Sequence, residues 1–261
     1  MPVPGSEGVP PSWPEGVRAD RRGPTVTRRS GEVLREARHA LGLETAAVVP
    51  GAFYTLPTLR VARALLGKIL VHRSRAGLTA GRIVEVEAYR GPGDRAAHSA
   101  RGRRTPRNEV MWGPAGHLYV YFTYGMHHCC NVVTRAAGEP EAVLLRALEP
   151  VTGLALMHRR RGLSDRASDH QLCRGPGNLC RAMGIDRRLN GADLLHGPVL
   201  ILDVPRLPAV RIATSPRIGV AYAGADAVLP WRFYVLDSPA VSGRALRAAH
   251  VQFSRRQPNR A

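Results

Sequence analysis

The chain is almost without lysine. Lys68 is the only one in 261 residues, so the remainder of the 38 basic Lys and Arg positions are arginine. Chemistry that runs through a lysine Schiff base has one side chain to draw on. The four cysteines, Cys129, Cys130, Cys173 and Cys180, form no C-x-x-C pair, so the sequence carries neither a zinc ribbon nor a dithiol redox motif. His127, His128, Cys129 and Cys130 are contiguous, but successive strand residues point to opposite faces and one metal cannot easily collect all four. Buried or half-buried thiols are expected instead, and no metal site. No apolar run reaches the roughly 18 residues of a membrane span. The opening MPVPGSEGVPPSWPEG has neither a basic start nor an apolar centre, so no secretory signal is expected. A soluble cytoplasmic protein follows as the expectation. No internal repeat is visible.

Acidic residues are also scarce: 20 against 38 basic ones, a formal net charge of +18. That balance points to an anionic partner, nucleic acid foremost. The excess is not at the start, because residues 1–48 hold seven Arg and six acidic residues. Arginine suits forked contacts to phosphate. The preference for Arg over Lys fits a biased genome, which accounts for the ratio but not for the net charge.

Residues 1–48 are rich in Pro, Gly and Arg and read as a mostly disordered tail, with a short helix possible over Gly31–Leu41. The folded domain is expected over 49–240, its first elements near Phe53, and residues 241–261 as a C-terminal tail. Leu59, Ala62, Leu65 and Leu66 recur at helical spacing, with Pro57 in the first turn and Gly67 at the end. Strands are expected at Ile69–His72 and Arg82–Tyr89, joined through a turn at Gly77. The second alternates: Val84, Val86 and Ala88 share one face, Glu85, Glu87 and Tyr89 the other. Two acids beside an aromatic fit a pocket wall, but spacing alone fits a solvated strand face better.

Arg90–Asn108 is a loop with four arginines in seven residues, Arg101, Arg103, Arg104 and Arg107, a set suited to phosphate contacts although a solvated loop has the same composition. His117–Phe122 and His127–Thr134 read as a hairpin, with Tyr119, Tyr121 and Thr123 on one face. Its tip is Tyr124-Gly125-Met126. Tips are normally polar, and an apolar tip is the kind of element that is pushed between base pairs in a minor groove. Ala142–Leu148 is an apolar strand interrupted by Arg146, whose burial requires an anionic partner; Glu87 or Glu85 is the candidate. Helices are expected over Val151–Arg161 and after Gly175, and strands over Asp193–Asp203, Ala209–Ile212 and Trp231–Val235. Taken together, the stretch from Arg82 to Asn131 reads as a site that handles one nucleobase of DNA.

The blocks VEAY, GPGDRAAHS, RTPRN, LYVYFTYGM, LLRALEP, GPGNLC and RFYV occur in that order between about Phe53 and Pro239. In these blocks the chain resembles the alkyladenine (3-methyladenine) DNA glycosylases of the mammalian-type, non-helix-hairpin-helix family. The resemblance implies an α+β fold: a single mixed domain with a curved, mainly antiparallel sheet, flanking helices and a protruding β-hairpin. It implies excision of alkylated or deaminated purines from double-stranded DNA without metal or cofactor, by a monomer associated with the nucleoid. By the same resemblance, Glu87 activates water and Arg146 positions it. Tyr89, His98 and Tyr121 stack on the extruded base. The Ala96 backbone donates to the base edge, and Asn131 penalises the amino group of guanine. Tyr124 is the wedge, and Met126 lies in the same groove. His127 and His128 depart from the pattern, standing where relatives commonly carry aromatics, and the segment between Asn131 and Arg146 is slightly long.

The residues admit two other classes: a nuclease using Glu85 and Glu87 as Mg²⁺ ligands, and a non-catalytic nucleic-acid-binding protein resting on basic charge alone.

Overall fold

The computed structural model describes residues 28–205, 207–208 and 211–243. Nine strands form one sheet: β1 Ala47–Val48, β2 Ile69–Ser74, β3 Gly77–Tyr89, β4 Leu118–Thr123, β5 His127–Thr134, β6 Glu141–Thr152, β7 Val199–Asp203, β8 Ile212–Ser215 and β9 Arg232–Val235. The main path runs β1-β7-β2-β3-β6-β5-β4, with β8 and β9 branching from β3. Every pairing is antiparallel. The helices are α1 Arg28–Leu41, α2 Gly51–Tyr54, α3 Thr58–Leu65, α4 Leu154–Arg161 and α5 Pro176–Met183. This is the α+β architecture the resemblance implies.

Strand β3 organises the domain. Its first half pairs with β2, from Gly77 opposite Ser74 to Arg82 opposite Ile69. Beyond a register irregularity the same edge takes β9 instead, Glu85 opposite Tyr234 and Glu87 opposite Arg232. Its other edge pairs with β6 along most of its length. Glu85 and Glu87 therefore lie in a three-strand centre, not at an edge. Val84, Val86 and Ala88 face the main apolar core as the alternation predicts. The opposite face is also covered: Glu85 and Glu87 are both 0% exposed. The solvated strand face that spacing favoured is not what forms, because arginines and backbone N–H groups brought from distant segments enclose the acids.

Within the segment expected as a mostly disordered tail, the short helix considered over Gly31–Leu41 forms and starts three residues earlier. Residues 28–41 form α1, whose Val33 and Ala37 pack on Ile69, Val71, Ala80 and Leu200, while Ala47 and Val48 pair with β7. The signal was present as an apolar spacing of four between Val33 and Ala37, but it was outweighed by the Pro, Gly and Arg content around it. Residues 241–243 likewise belong to the fold, with Val241 and Ser242 buried. The remainder of both expected tails lies outside the described residues. Strand β7 is shorter than expected, since Asp193 forms only an isolated bridge with His117 and 194–198 are turns and bends. The strand expected at Ala209–Ile212 falls partly outside the described residues, and β8 begins at Ile212. All four cysteines are buried free thiols.

Candidate active site

The functional residues come from four sources: the end of β3, the loop after it that carries Ala96 and His98, the β4–β5 hairpin with β6, and the segment between β8 and β9. They enclose a cavity of about 190 Å³ whose lining includes Tyr89, Arg146, Ile218, His98, Tyr119 and Tyr121. Tyr119, Tyr121 and Thr123 alternate on one face of β4 and point inward, while Leu118 and Val120 enter the core.

Glu87 lies behind Tyr89, Arg146 and Ile218. Its Oε1 accepts the Ile218 N–H at 2.7 Å and stands 3.2 Å from Arg146 Nη1, and its Oε2 accepts the Tyr89 hydroxyl at 2.9 Å. Burial pushes its pKa above the usual carboxylate range; Arg146, the Ile218 N–H and the Tyr89 hydroxyl pull the other way, and neighbouring Glu85 adds to the rise. The net result is an ionisable acid with more proton affinity than a surface glutamate, held by three donors. Both anionic partners proposed for Arg146 are used, since its Nε also donates to Glu85 Oε1 at 2.9 Å.

His98 sits across the cavity. Its Nδ1 lies 2.8 Å from the Tyr119 hydroxyl, and its ring is 4.5 Å from that of Tyr121. Burial, then Arg107 and Arg103, push its pKa down to about 4, so it is neutral near pH 7. Asn131 is buried and donates to the Tyr119 carbonyl at 3.1 Å. The backbone of Ala96 differs from expectation. Its N–H donates to Asp94 Oδ1 at 3.0 Å and is engaged within the loop, whereas its carbonyl accepts the Tyr222 hydroxyl at 3.2 Å. Both backbone groups of Ala96 are therefore engaged within the protein, and the second lone pair of its carbonyl is what they leave unused.

The hairpin tip projects from the mouth. Tyr124 is 82% exposed and Met126 68%. Tyr124 holds a φ of +51° and Gly125 one of +67°, so the turn needs two successive left-handed residues. His127 packs against Gly177, where a Cβ would stand 2.9 Å from its ring, and the His128 ring lies 5.0 Å from that of Phe122. The two histidines thus brace the base of the hairpin.

The four loop arginines separate. Arg101 and Arg103 are exposed beside the cavity mouth and, with Arg107, line an adjoining cleft. Arg107 lies over the Tyr121 ring at 5.1 Å and donates to the Phe122 carbonyl at 3.3 Å. Arg104 is taken up by Glu109, with contacts of 2.9 and 2.5 Å, and by the Trp112 ring at 5.2 Å. Asn108 staples this loop by donating to the carbonyls of His98 and Arg103 at 3.0 and 2.9 Å.

Several site residues were not singled out from sequence. Arg217 forks onto Asp94 with contacts of 2.5 and 2.8 Å, both side chains fully buried, and its guanidinium covers the Tyr89 ring at 4.8 Å. Ile218 contributes its N–H. Tyr222, 72% exposed, lines both the cavity and the arginine cleft. Their only sequence signal is a glycine-containing stretch with Gly219 and Gly224. Glu85 is also engaged throughout, with Arg146, Arg232 and Ser242 around it. Guanidinium groups thus occupy the ground a divalent cation would need between Glu85 and Glu87, which removes the geometric basis of the nuclease reading.

The family model described as methylpurine-DNA glycosylase matches residues 52–239. A relative from Methanocella arvoryzae, named "Putative 3-methyladenine DNA glycosylase", is 51% identical over 199 residues, covering 76% of this chain and 97% of its own. Relatives of the same name from Methanoculleus marisnigri and Anaeromyxobacter dehalogenans are 52% and 50% identical, covering 75% and 74% of this chain and 99% and 85% of their own. The chain belongs to the methylpurine-DNA glycosylase family.

Proposed function

We propose that this protein is a monofunctional DNA glycosylase of base-excision repair, acting as a monomer on double-stranded DNA that carries an alkylated or deaminated purine. The observation that carries the reading is the Arg146–Glu87–Tyr89 constellation at the floor of an aromatic cavity, beneath an exposed tyrosine tip. A damaged base cannot be reached inside the stack and must be extruded, at a cost of a few kcal/mol that is lower where pairing is already poor. Tyr124 fills the gap and slows return. Arg101, Arg103 and Arg107 contact phosphates around the site; Arg104, paired with Glu109, adds less.

In the cavity the base stacks between Tyr89 and the His98–Tyr121 pair. A cationic methylated purine gains extra attraction to the aromatic faces. The Ala96 carbonyl accepts from the base edge, and Asn131 excludes the amino group of guanine. As the bond between the anomeric carbon and the purine nitrogen breaks and the base leaves with the bonding pair, the Glu87 carboxylate stabilises the cationic sugar, then takes a proton from the water that attacks that carbon. Arg146 keeps the carboxylate aimed.

Lys68 is not available as an amine nucleophile: it is buried and paired with Asp203. The test is a duplex with a single hypoxanthine, ethenoadenine or 7-methylguanine, incubated in EDTA. The base is released, the strand stays intact until hot alkali, and borohydride traps no covalent complex. No base release from any of the three, or strand cutting that EDTA abolishes, contradicts the reading. No helix among the described residues is long and apolar enough to cross a membrane.

A further inference from the structure

The second acid of β3 does not line the cavity, yet it is more heavily engaged than the first. Glu85 Oε1 accepts Arg146 Nε at 2.9 Å, Arg232 Nε at 2.7 Å and the Ser242 hydroxyl at 2.9 Å, and Oε2 accepts the Ser242 N–H at 2.6 Å. The Ser242 hydroxyl in turn accepts Arg146 Nη2 at 3.2 Å, and its carbonyl accepts Arg232 Nη2 at 2.6 Å. Glu85 is fully buried, Arg232 is 1% exposed and Arg146 6%. Two nitrogens of Arg146 are therefore fixed on Glu85 and Ser242, which leaves Nη1 to face Glu87 Oε1 at 3.2 Å.

We propose that Glu85 is a positioning residue for excision: with Ser242, from the segment after β9, it fixes the Arg146 guanidinium so that one edge is presented to Glu87. The proposal rests on the reading of Glu87 as the group that activates water. The planar fork of arginine makes the device work, because fixing Nε and Nη2 determines the direction of Nη1. A hydrophobic partner would leave Arg146 free to swing wholly onto Glu87, which would hold that carboxylate too firmly ionised to take a proton.

Glu85 also acts through its charge. The groups facing Glu87 are Glu85 and Tyr89 on its own strand, Arg146 on β6, Cys129 on β5, and Arg217 and Tyr222, with the Ile218 N–H, on the segment between β8 and β9. Among them Glu85 is the one other carboxylate, and like charge favours the protonated form of Glu87. Removing it lowers the proton affinity of Glu87 and weakens it as a base.

The experiment measures single-turnover release of hypoxanthine from a duplex across pH, together with duplex affinity by fluorescence anisotropy, for wild type, Glu85→Gln, Ser242→Ala and Glu87→Gln. Glu85→Gln is expected to release base roughly 10- to 100-fold more slowly, with its acid limb moved to lower pH and duplex affinity unchanged. Ser242→Ala, which keeps the Arg146–Glu85 ion pair but removes both hydrogen bonds of the hydroxyl, is expected to be slower by roughly 5- to 25-fold, the value of one to two hydrogen bonds. If Glu85→Gln fails to fold, Ser242→Ala decides: slower release with intact affinity supports the proposal, and wild-type release overturns it. Wild-type rates and acid limb in both variants, beside an inactive Glu87→Gln, overturn this proposal alone. Full excision by Glu87→Gln overturns the parent reading as well.

Discussion

His98 and Tyr119 meet across the cavity wall, Nδ1 to hydroxyl at 2.8 Å, and the contact fits a neutral imidazole that accepts from the phenol. The His98 pKa is pushed down to about 4 by burial and by Arg107 and Arg103. In the unfolded chain the same ring takes a proton near pH 6.5. Acidification from pH 6.5 towards 4 therefore favours the unfolded state, by an amount on the order of a few kcal/mol once pH 4 is reached. Thermal melts of wild type and His98→Gln at pH 7, 5 and 4 should show a shallower fall in Tm for the variant. Some slope persists in the variant because His72 is lowered too. Equal slopes would contradict a buried, neutral His98.

Glu87 has the opposite sign. Its folded pKa is raised by burial beyond what Arg146, the Ile218 N–H and Tyr89 recover. The ionised form therefore opposes folding above the unfolded pKa, and stability rises as pH falls through the folded one. Glu87→Gln keeps the shape without the charge and should melt at or above the wild-type Tm at pH 7–8, by roughly 2–4 °C for each kcal/mol recovered. A Tm well below wild type would contradict this sign.

Tyr124 separates grip from fold. It is 82% exposed and sits at a φ of +51°, a conformation that costs a non-glycine residue about 1–2 kcal/mol. Tyr124→Gly should leave Tm unchanged or higher while weakening retention of the extruded base, read by 2-aminopurine fluorescence beside the lesion. Wild-type retention would remove the wedge role.

The Arg217–Asp94 pair is fully buried on both sides. Arg217→Ala strands an uncompensated carboxylate and should cost about 3–5 kcal/mol of stability, visible in urea unfolding. Asp94→Asn/Arg217→Ala together should recover part of that loss, because the buried charge is gone. A single variant as stable as wild type would contradict a buried pair in which each charge depends on the other.

The residues of β3 through β6 were legible because period-two alternation, turn residues and the motif blocks agreed there. Val84, Val86 and Ala88 against Glu87 and Tyr89, and Tyr119 with Tyr121 against Leu118 and Val120, could be assigned to faces before any fold was known. What alternation could not say is what covers a face. Glu85 and Glu87 looked like solvated acids because their partners, Arg232, Ile218 and Ser242, are more than 130 positions away in the chain. Arg217 and Tyr222 were missed for the same reason: they sit in a turn-rich stretch without periodicity, and their role exists only through contact with Asp94, Tyr89 and Ala96. The Ala96 N–H was assigned as a donor because sequence does not reveal that Asp94, two residues earlier, accepts it.

The most direct test of the central claim is single-turnover base release by Glu87→Gln with its duplex affinity measured on the same preparation. A carboxylate that activates water predicts undiminished binding of the lesion duplex and release of the base reduced to the limit of detection. Release at the wild-type rate from a folded Glu87→Gln protein would contradict the account.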